Sequence, residues 1–190
     1  MAERIYAFEP YAAVAEKAPA WAGVTIAPRR PVTMLDVRGP ADAVAAHVKA
    51  RYGLDIPRQP NTAIGSAARA LWLGPDEWLV VSNAAASASP ARSDQPDVSI
   101  TEVSHGRAAL RLRGADMRDA LAKGCPLDLD PRAFPPGRCA QTAIGRISVI
   151  LDHVERDVFD LYCSRSYAGS FWHWLTEACA ECGYAVAPPA

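Results

Sequence analysis

The sequence of 190 residues predicts an α+β fold that is pseudo-duplicated, with mainly antiparallel sheets and helices packed on one face of each. Three observations carry this expectation. First, a series of motifs occurs twice in the same order and at similar spacing. An apolar run, Val32 to Val37, leads to Arg38-Gly39-Pro40-Ala41-Asp42, a helical segment ending at Gly53, Leu54-Asp55, and then Thr62-Ala63-Ile64-Gly65. Later, Leu110 to Leu112 leads to Arg113-Gly114-Ala115-Asp116, a helix ending at Gly124, Leu127-Asp128, and then Thr142-Ala143-Ile144-Gly145. Second, short β-rich runs follow each helix. Third, half of the residues are apolar and 22% are charged, enough apolar surface to build a core and too much for a disordered chain.

The elements follow in order. Residues 1–31 carry Tyr11 and Trp21 among scattered Ala and Pro without a clear period. They are expected to be an N-terminal extension that wraps a partner or its own domain. In the first half, Val44, Val48 and Tyr52 recur at helical spacing, Pro40 suits a first turn, and Gly53 suits the left-handed position after a helix end. Ala70 to Leu73 and Trp78 to Val81 are expected strands, joined by the turn chemistry of Gly74-Pro75-Asp76-Glu77. Ala84 to Asp97 lacks any apolar period and is expected to be a surface loop joining the two halves, 32–83 and 98–186. In the second half, Met117 and Leu121 mark the helix, with Gly124 in the role of Gly53, and Ile147 to Leu151 and Val158 to Cys163 are expected strands. Ser170 to Gly183 predicts a final helix, capped by Ser170, with Phe171, Leu175, Cys179 and Cys182 on one stripe and His173, Glu177 and Glu181 on a solvated face.

Charge excludes some functions. A formal net charge of -1 lacks the basic excess of nucleic-acid binding. The Met1-Ala2-Glu3-Arg4-Ile5 start and the lack of long apolar windows predict a cytoplasmic chain with no membrane partner. Five cysteines fit reduced thiols better than a disulfide framework.

Each chemistry-bearing residue also has a structural reading. Cys179-Ala180-Glu181-Cys182 is a lone CxxC late in a helix, and reads as packed thiols rather than a zinc or redox site. Cys125, Cys139 and Cys163 read as buried structural cysteines. No two histidines share a metal-binding spacing, and His105 reads as a turn residue. Phosphate-cradling glycine motifs are absent. No catalytic, cofactor-binding or metal-binding residue is therefore assigned. The residues picked out for contact with a partner are Trp72, Trp78, Trp172 and Trp174, with Arg132, Phe134 and Arg138 in a stiff, Pro-rich, basic connection.

The runs Trp72-Leu73-Gly74-Pro75-Asp76-Glu77-Trp78-Leu79, Val103-Ser104-His105-Gly106-Arg107, Lys123-Gly124-Cys125-Pro126-Leu127-Asp128-Leu129, Pro131 to Thr142, Arg165-Ser166-Tyr167-Ala168 and Trp172 to Leu175 together resemble the gamma subunit of heterotetrameric sarcosine oxidase. The resemblance spans roughly Val32 to Gly183. It implies a non-catalytic subunit of a bacterial cytoplasmic complex that converts sarcosine to glycine, hydrogen peroxide and 5,10-methylenetetrahydrofolate. The implied partners are alpha, beta and delta subunits, on which FAD, FMN, NAD and tetrahydrofolate reside. It further implies that 32–190 is a single domain similar to the folate-binding domain of the glycine-cleavage T-protein, whose internal pseudo-symmetry accounts for the repeat. Where T-proteins carry a paired aspartate, this chain has Ser148-Val149; the next acid, Asp152, is expected in the turn before Glu155-Arg156-Asp157. Two alternatives stay open: a stand-alone folate binder or aminomethyltransferase-like enzyme, with Arg107, Arg132 and Arg138 gathered at a carboxylate pocket, and the equivalent subunit of a dehydrogenase for another N-methyl amino acid.

Overall fold

The computed structural model describes residues 6–12, 21–30, 32–83 and 96–189. They form two compact units: one made of Pro31–His105 with Gly137–Ala140, the other of Met1–Arg30, Gly106–Pro136 and Gln141–Ala190. Apart from residues 96 and 97, the expected loop at 84–97 lies outside the described residues.

In the chain's order, a short helix α1 (Glu9–Ala12) and strand β1 (Val24–Pro28) precede the first repeat. That repeat supplies β2 (Thr33–Arg38), α2 (Ala41–Tyr52), β3 (Ala63–Gly65), β4 (Ala68–Gly74) and β5 (Glu77–Ser82), followed by β6 (Ser99–Glu102). The second supplies β7 (Arg107–Arg113), α3 (Met117–Ala122), β8 (Cys139–Ile144), β9 (Ile147–Glu155) and β10 (Val158–Ser164). A 3₁₀ turn (Arg165–Tyr167), α4 (Ala168–Cys179) and β11 (Tyr184–Val186) complete the chain.

The first unit is a five-stranded antiparallel sheet in the order β3-β4-β5-β2-β6. Its core joins Leu35, Val37, Ala70, Trp78 and Val80 from the strands to Val44 and Val48 of α2. The helix follows the spacing in the sequence. Gly53 ends it at φ 63°, donating its N–H to Lys49 O, and Asp42 in the first turn with Lys49 and Arg51 in the last complements the helix dipole. Pro40 stands one position earlier than expected, as the residue before the first helical turn. Asp76 takes the left-handed conformation (φ 57°) in the β4–β5 turn.

The second unit is a six-stranded sheet in the order β11-β1-β7-β10-β9-β8, in which β1 runs parallel to β11 and antiparallel to β7, and β10 runs antiparallel to β7 and β9. Gly145 and Arg146 both have positive φ between β8 and β9, the backbone of a two-residue hairpin turn matched to strand twist. Ile26, Leu110, Leu112, Phe159, Leu161, Met117, Leu121, Phe171, Leu175 and Cys179 are all fully buried in this unit.

The repeat is visible in the strand order: β3-β4-β5-β2 in one sheet corresponds to β8-β9-β10-β7 in the other. The fifth strand of each arrives by exchange. β1 precedes β2 in the chain but pairs antiparallel with β7, and β6 precedes β7 but pairs antiparallel with β2. The two Arg-Gly dipeptides mark these junctions. A Cβ on Gly39 (φ 145°) would lie 2.3 Å from the Asp97 carbonyl oxygen just before β6, and one on Gly114 (φ 128°) 2.0 Å from the Gly23 carbonyl oxygen just before β1. Glycine recurs in the motif because backbone passes that close.

The expected boundaries change accordingly. The 1–31 segment is not an appendage where it is described, since β1 is an inner strand of the six-stranded sheet. Residues 98–105 and 137–140 belong with the first unit rather than with the second half. The last helix begins at Ala168, because the 3₁₀ turn already supplies a partner for the Ala168 N–H and no Ser170 cap is required. It ends at Cys179, so Cys182 and Gly183 lie beyond it. Gly124 is not left-handed; a Cβ there would lie 2.5 Å from the Trp174 ring and 2.9 Å from the Gly145 nitrogen, so close packing is what requires glycine. Asp152 is a fully buried residue within β9 and not part of a turn.

Candidate functional site

The residues predicted to meet a partner divide between the units. In the first, Trp72 and Trp78 face each other across β4 and β5. Trp78 is 2% exposed and donates its indole N–H to Pro57 O at 2.8 Å. Trp72 is half-buried against the same core. Arg138, partly exposed, donates from Nη1 to Pro60 O at 3.5 Å beside the Thr62–Arg138 bridge.

In the second unit, Trp172 is buried against Phe8 and Tyr11, with ring centroids 6.1 and 6.4 Å apart. Trp174 is half-buried and lies over Gly124 and Gly145. Phe134 is buried, its ring stacked on His153 at 6.1 Å. Arg132 is 92% exposed in its side chain and folds back on Asp130 at 2.9 Å. Asp130 also accepts the Arg132 backbone N–H, and these bonds from Arg132 hold the Asp130 carboxyl below the usual carboxylate range. Trp78, Phe134 and Trp172 thus spend their surface inside the chain, because each fills a core that a smaller side chain would leave void. Trp72, Trp174, Arg132 and Arg138 keep surface of their own. Trp21 and Tyr167, at 64% and 54% exposure, are the most open large apolar side chains among the described residues.

Two polar clusters in the second unit were not anticipated. Asp160, fully buried on β10, accepts from Arg29 Nη1 at 2.9 Å and from Arg111 Nε and Nη2, both at 2.7 Å. Arg29 also donates to the Tyr162 hydroxyl at 2.8 Å. The hydrogen bond to Asp160 raises the Arg111 pKa above the ordinary arginine value. In the second cluster, His153 stacks 4.4 Å from Phe159, its Nδ1 is 2.8 Å from Phe134 O, and its Nε2 is 3.2 Å from Arg118 Nη2. Arg118 can only donate, so Nε2 accepts and Nδ1–H donates to the carbonyl. Burial foremost, and then the Arg118 charge, hold the His153 pKa below the ordinary histidine value. A signal for both clusters exists in the sequence: Arg111, His153 and Asp160 interrupt otherwise apolar strands, where a polar or charged group survives only with a partner.

Three of the thiols, Cys125, Cys163 and Cys179, are poor nucleophiles. Burial pushes Cys163 up to about 11 and Cys179 up to about 12, and raises Cys125 as well. His105 is an exposed turn residue, and His173 is exposed 3.4 Å from Glu177. Among the described residues, no group of three or more His, Cys, Asp or Glu is placed to hold a metal, and no helix is long and apolar enough to cross a membrane.

Comparison with known proteins fits this geometry. The model of the "Sarcosine oxidase, gamma subunit family" matches residues 36–181. Sarcosine oxidase subunit gamma of Corynebacterium sp. strain P-1 is 31% identical over 156 residues, covering 78% of this chain and 76% of that protein. The Arthrobacter subunit gamma is also 31% identical, over the same shares. A chain of the heterotetrameric sarcosine oxidase from Corynebacterium sp. U-96, solved with pyrrole 2-carboxylate, superposes with a TM-score of 0.85 at 27% identity, over 94% of this chain and 95% of that one. The glycine cleavage aminomethyltransferase T of Bartonella henselae shares the fold, with a TM-score of 0.60 at 14% identity, over 88% of this chain and 48% of that one.

Proposed function

Because the chain belongs to the sarcosine oxidase gamma subunit family, we propose that it is a non-catalytic structural subunit of a heterotetrameric sarcosine oxidase. The complex oxidatively demethylates sarcosine to glycine, hydrogen peroxide and 5,10-methylenetetrahydrofolate, with alpha, beta and delta subunits as partners in the cytoplasm. FAD, FMN, NAD and tetrahydrofolate are held by those partners. The observation that carries the reading is likeness to a chain of such a complex over almost the whole length of both chains. It is supported by the character of the polar groups described above: Asp160 is paired with Arg29 and Arg111, and burial holds the Cys163 and Cys179 thiols protonated.

Trp72, Trp174, Arg132 and Arg138 remain the proposed contact residues, joined by the exposed Trp21 and Tyr167. Trp78, Phe134 and Trp172 support those surfaces from within.

Producing the complex with and without this chain tests the proposal. Loss of co-purification, or of thermal stability of the flavin-bearing chains, is expected without it. Unchanged assembly and stability would overturn the structural role, and tight tetrahydrofolate binding by the isolated chain would overturn its non-catalytic character.

A further inference from the structure

A cavity of about 480 Å³ in the second unit is lined by Arg118, Pro131, Pro136, His153, Arg156 and Asp157. Its volume lies within the range of small-molecule sites. Two prolines and the edge of the His153–Phe159 stack make its wall largely apolar and stiff. One cation at this wall is held rigidly: Arg118 donates from Nη1 to Leu129 O, faces His153 Nε2 at 3.2 Å, and lies with its guanidinium carbon 5.0 Å from the Phe159 ring centroid.

The lining of the cavity carries two arginines and one carboxylate. Asp157 is the acid of the lining, with its carboxylate 3.9 Å from Arg118 Nε and 3.5 Å from Arg156 Nε, while the His153 tautomer leaves that imidazole neutral. Among the lining residues two guanidiniums thus stand beside one carboxylate, and Asp130, outside the lining and bonded to Arg132, also acts on Arg118 through its charge. The contact from Arg118 is too long for a good hydrogen bond, and two of the five guanidinium N–H groups suffice for its bonds to Leu129 and His153. A guanidinium already fixed in place binds an anion with little further loss of side-chain freedom.

We propose that this cavity is a binding site for a small free carboxylate with a compact apolar body, the carboxylate pairing with Arg118 and the body lying against Pro131 and Pro136. This site goes beyond the subunit role and does not rest on it. The carboxylate adds a second negative charge at the lining, opposite the N–H groups of Arg118 not used by Leu129 and His153. The apolar body displaces water from a wall with few polar partners to offer it.

The test is a titration of the full-length chain followed by amide chemical shifts, with benzoate, benzyl alcohol and acetate as probes. Benzoate is expected to give saturable shifts centred on Arg118, His153 and Asp157. Benzyl alcohol, which has the body without the charge, and acetate, which has the charge without the body, are each expected to bind at least about tenfold more weakly. Arg118→Lys is expected to weaken benzoate about tenfold through loss of the planar donor pair. Arg156→Ala, at a side chain 94% exposed, is expected to weaken it a few-fold without affecting the fold, and decides the matter if the Arg118 variant does not fold. Equal binding of benzyl alcohol and benzoate, shifts centred elsewhere, or benzoate binding indifferent to Arg156→Ala would overturn the proposal. So would binding to the isolated chain that disappears in the assembled complex, because the occupant would then be a partner subunit.

Discussion

Replacing Asp160 by Asn tests how the six-stranded sheet tolerates charge in its interior. The carboxylate is fully buried and accepts three bonds from two guanidiniums, at 2.9, 2.7 and 2.7 Å, with Arg29 itself only 4% exposed in its side chain. The amide keeps the shape, but it removes the negative charge and turns an acceptor into a donor against Arg111 or Arg29. Removing one member of a buried ion cluster costs about 3–5 kcal/mol, since the remaining charge has lost water and partner together. For a chain of this length, each kcal/mol moves the melting temperature by roughly 2–4 °C, so Asp160→Asn is expected to melt about 6–20 °C lower. The assay is urea and thermal denaturation followed by far-ultraviolet circular dichroism at neutral pH. Asp55→Asn serves as the comparison: Asp55 pairs with Lys49 at 2.9 Å, but both side chains are more than half exposed, and the loss should stay within about 1 kcal/mol. An Asp160→Asn protein as stable as Asp55→Asn would refute the reasoning. It would mean that water reaches the cluster, or that the arginines find other acceptors at no cost.

Three further outcomes are expected. His153 has its pKa lowered in the folded chain relative to the ordinary 6.5, so below that pH the unfolded chain binds more protons. Its contribution to stability is present above about pH 6.5 and lost as the pH falls below it. Urea midpoints measured from pH 7.5 to 5 should decline, and His153→Gln should decline less steeply; parallel slopes would remove His153 as the cause. Native alkylation with iodoacetamide at pH 7.5, followed by intact mass, should label Cys182 at most, with all five cysteines labelled in urea, because the other four are buried. Rapid native labelling of two or more would contradict this. Gly124→Ala should destabilise by about 1–3 kcal/mol, because its Cβ would lie 2.5 Å from Trp174 and 2.9 Å from backbone. Gly74→Ala, with nothing nearer than 3.7 Å, should cost well under that, and equal urea midpoints for the two would refute the packing argument.

Much of the architecture was legible because it is written locally. The helical spacing of Val44 and Val48, with a left-handed Gly53, gave α2 nearly residue for residue. The strands β4, β5, β9 and β10 were found because apolar runs bounded by turn residues have few other uses. Gly124 misled for an instructive reason: a glycine after a helix serves equally as a C-cap or as a place for a neighbour to approach, and only Trp174 reveals which. The partner-facing residues were half legible. A tryptophan signals a large area to bury without saying whether the chain or a partner buries it. For Trp78 the decision came from Pro57, and for Trp172 from Phe8 and Tyr11.

By itself the sequence determined the duplicated α+β character, the α2 helix, the hairpins, the reduced thiols and the family, since each rests on periodicity, turn chemistry or residue runs carried within short stretches. Tertiary structure alone decided the exchange of β1 and β6, the pairing of Asp160 with an arginine 131 residues away, and the position of a neutral histidine behind Arg118. Side-chain pattern states which face of a strand is buried, whereas backbone hydrogen bonds are alike for every strand. The choice of neighbour is therefore made by long-range packing and by the need of each buried charge for a counter-charge.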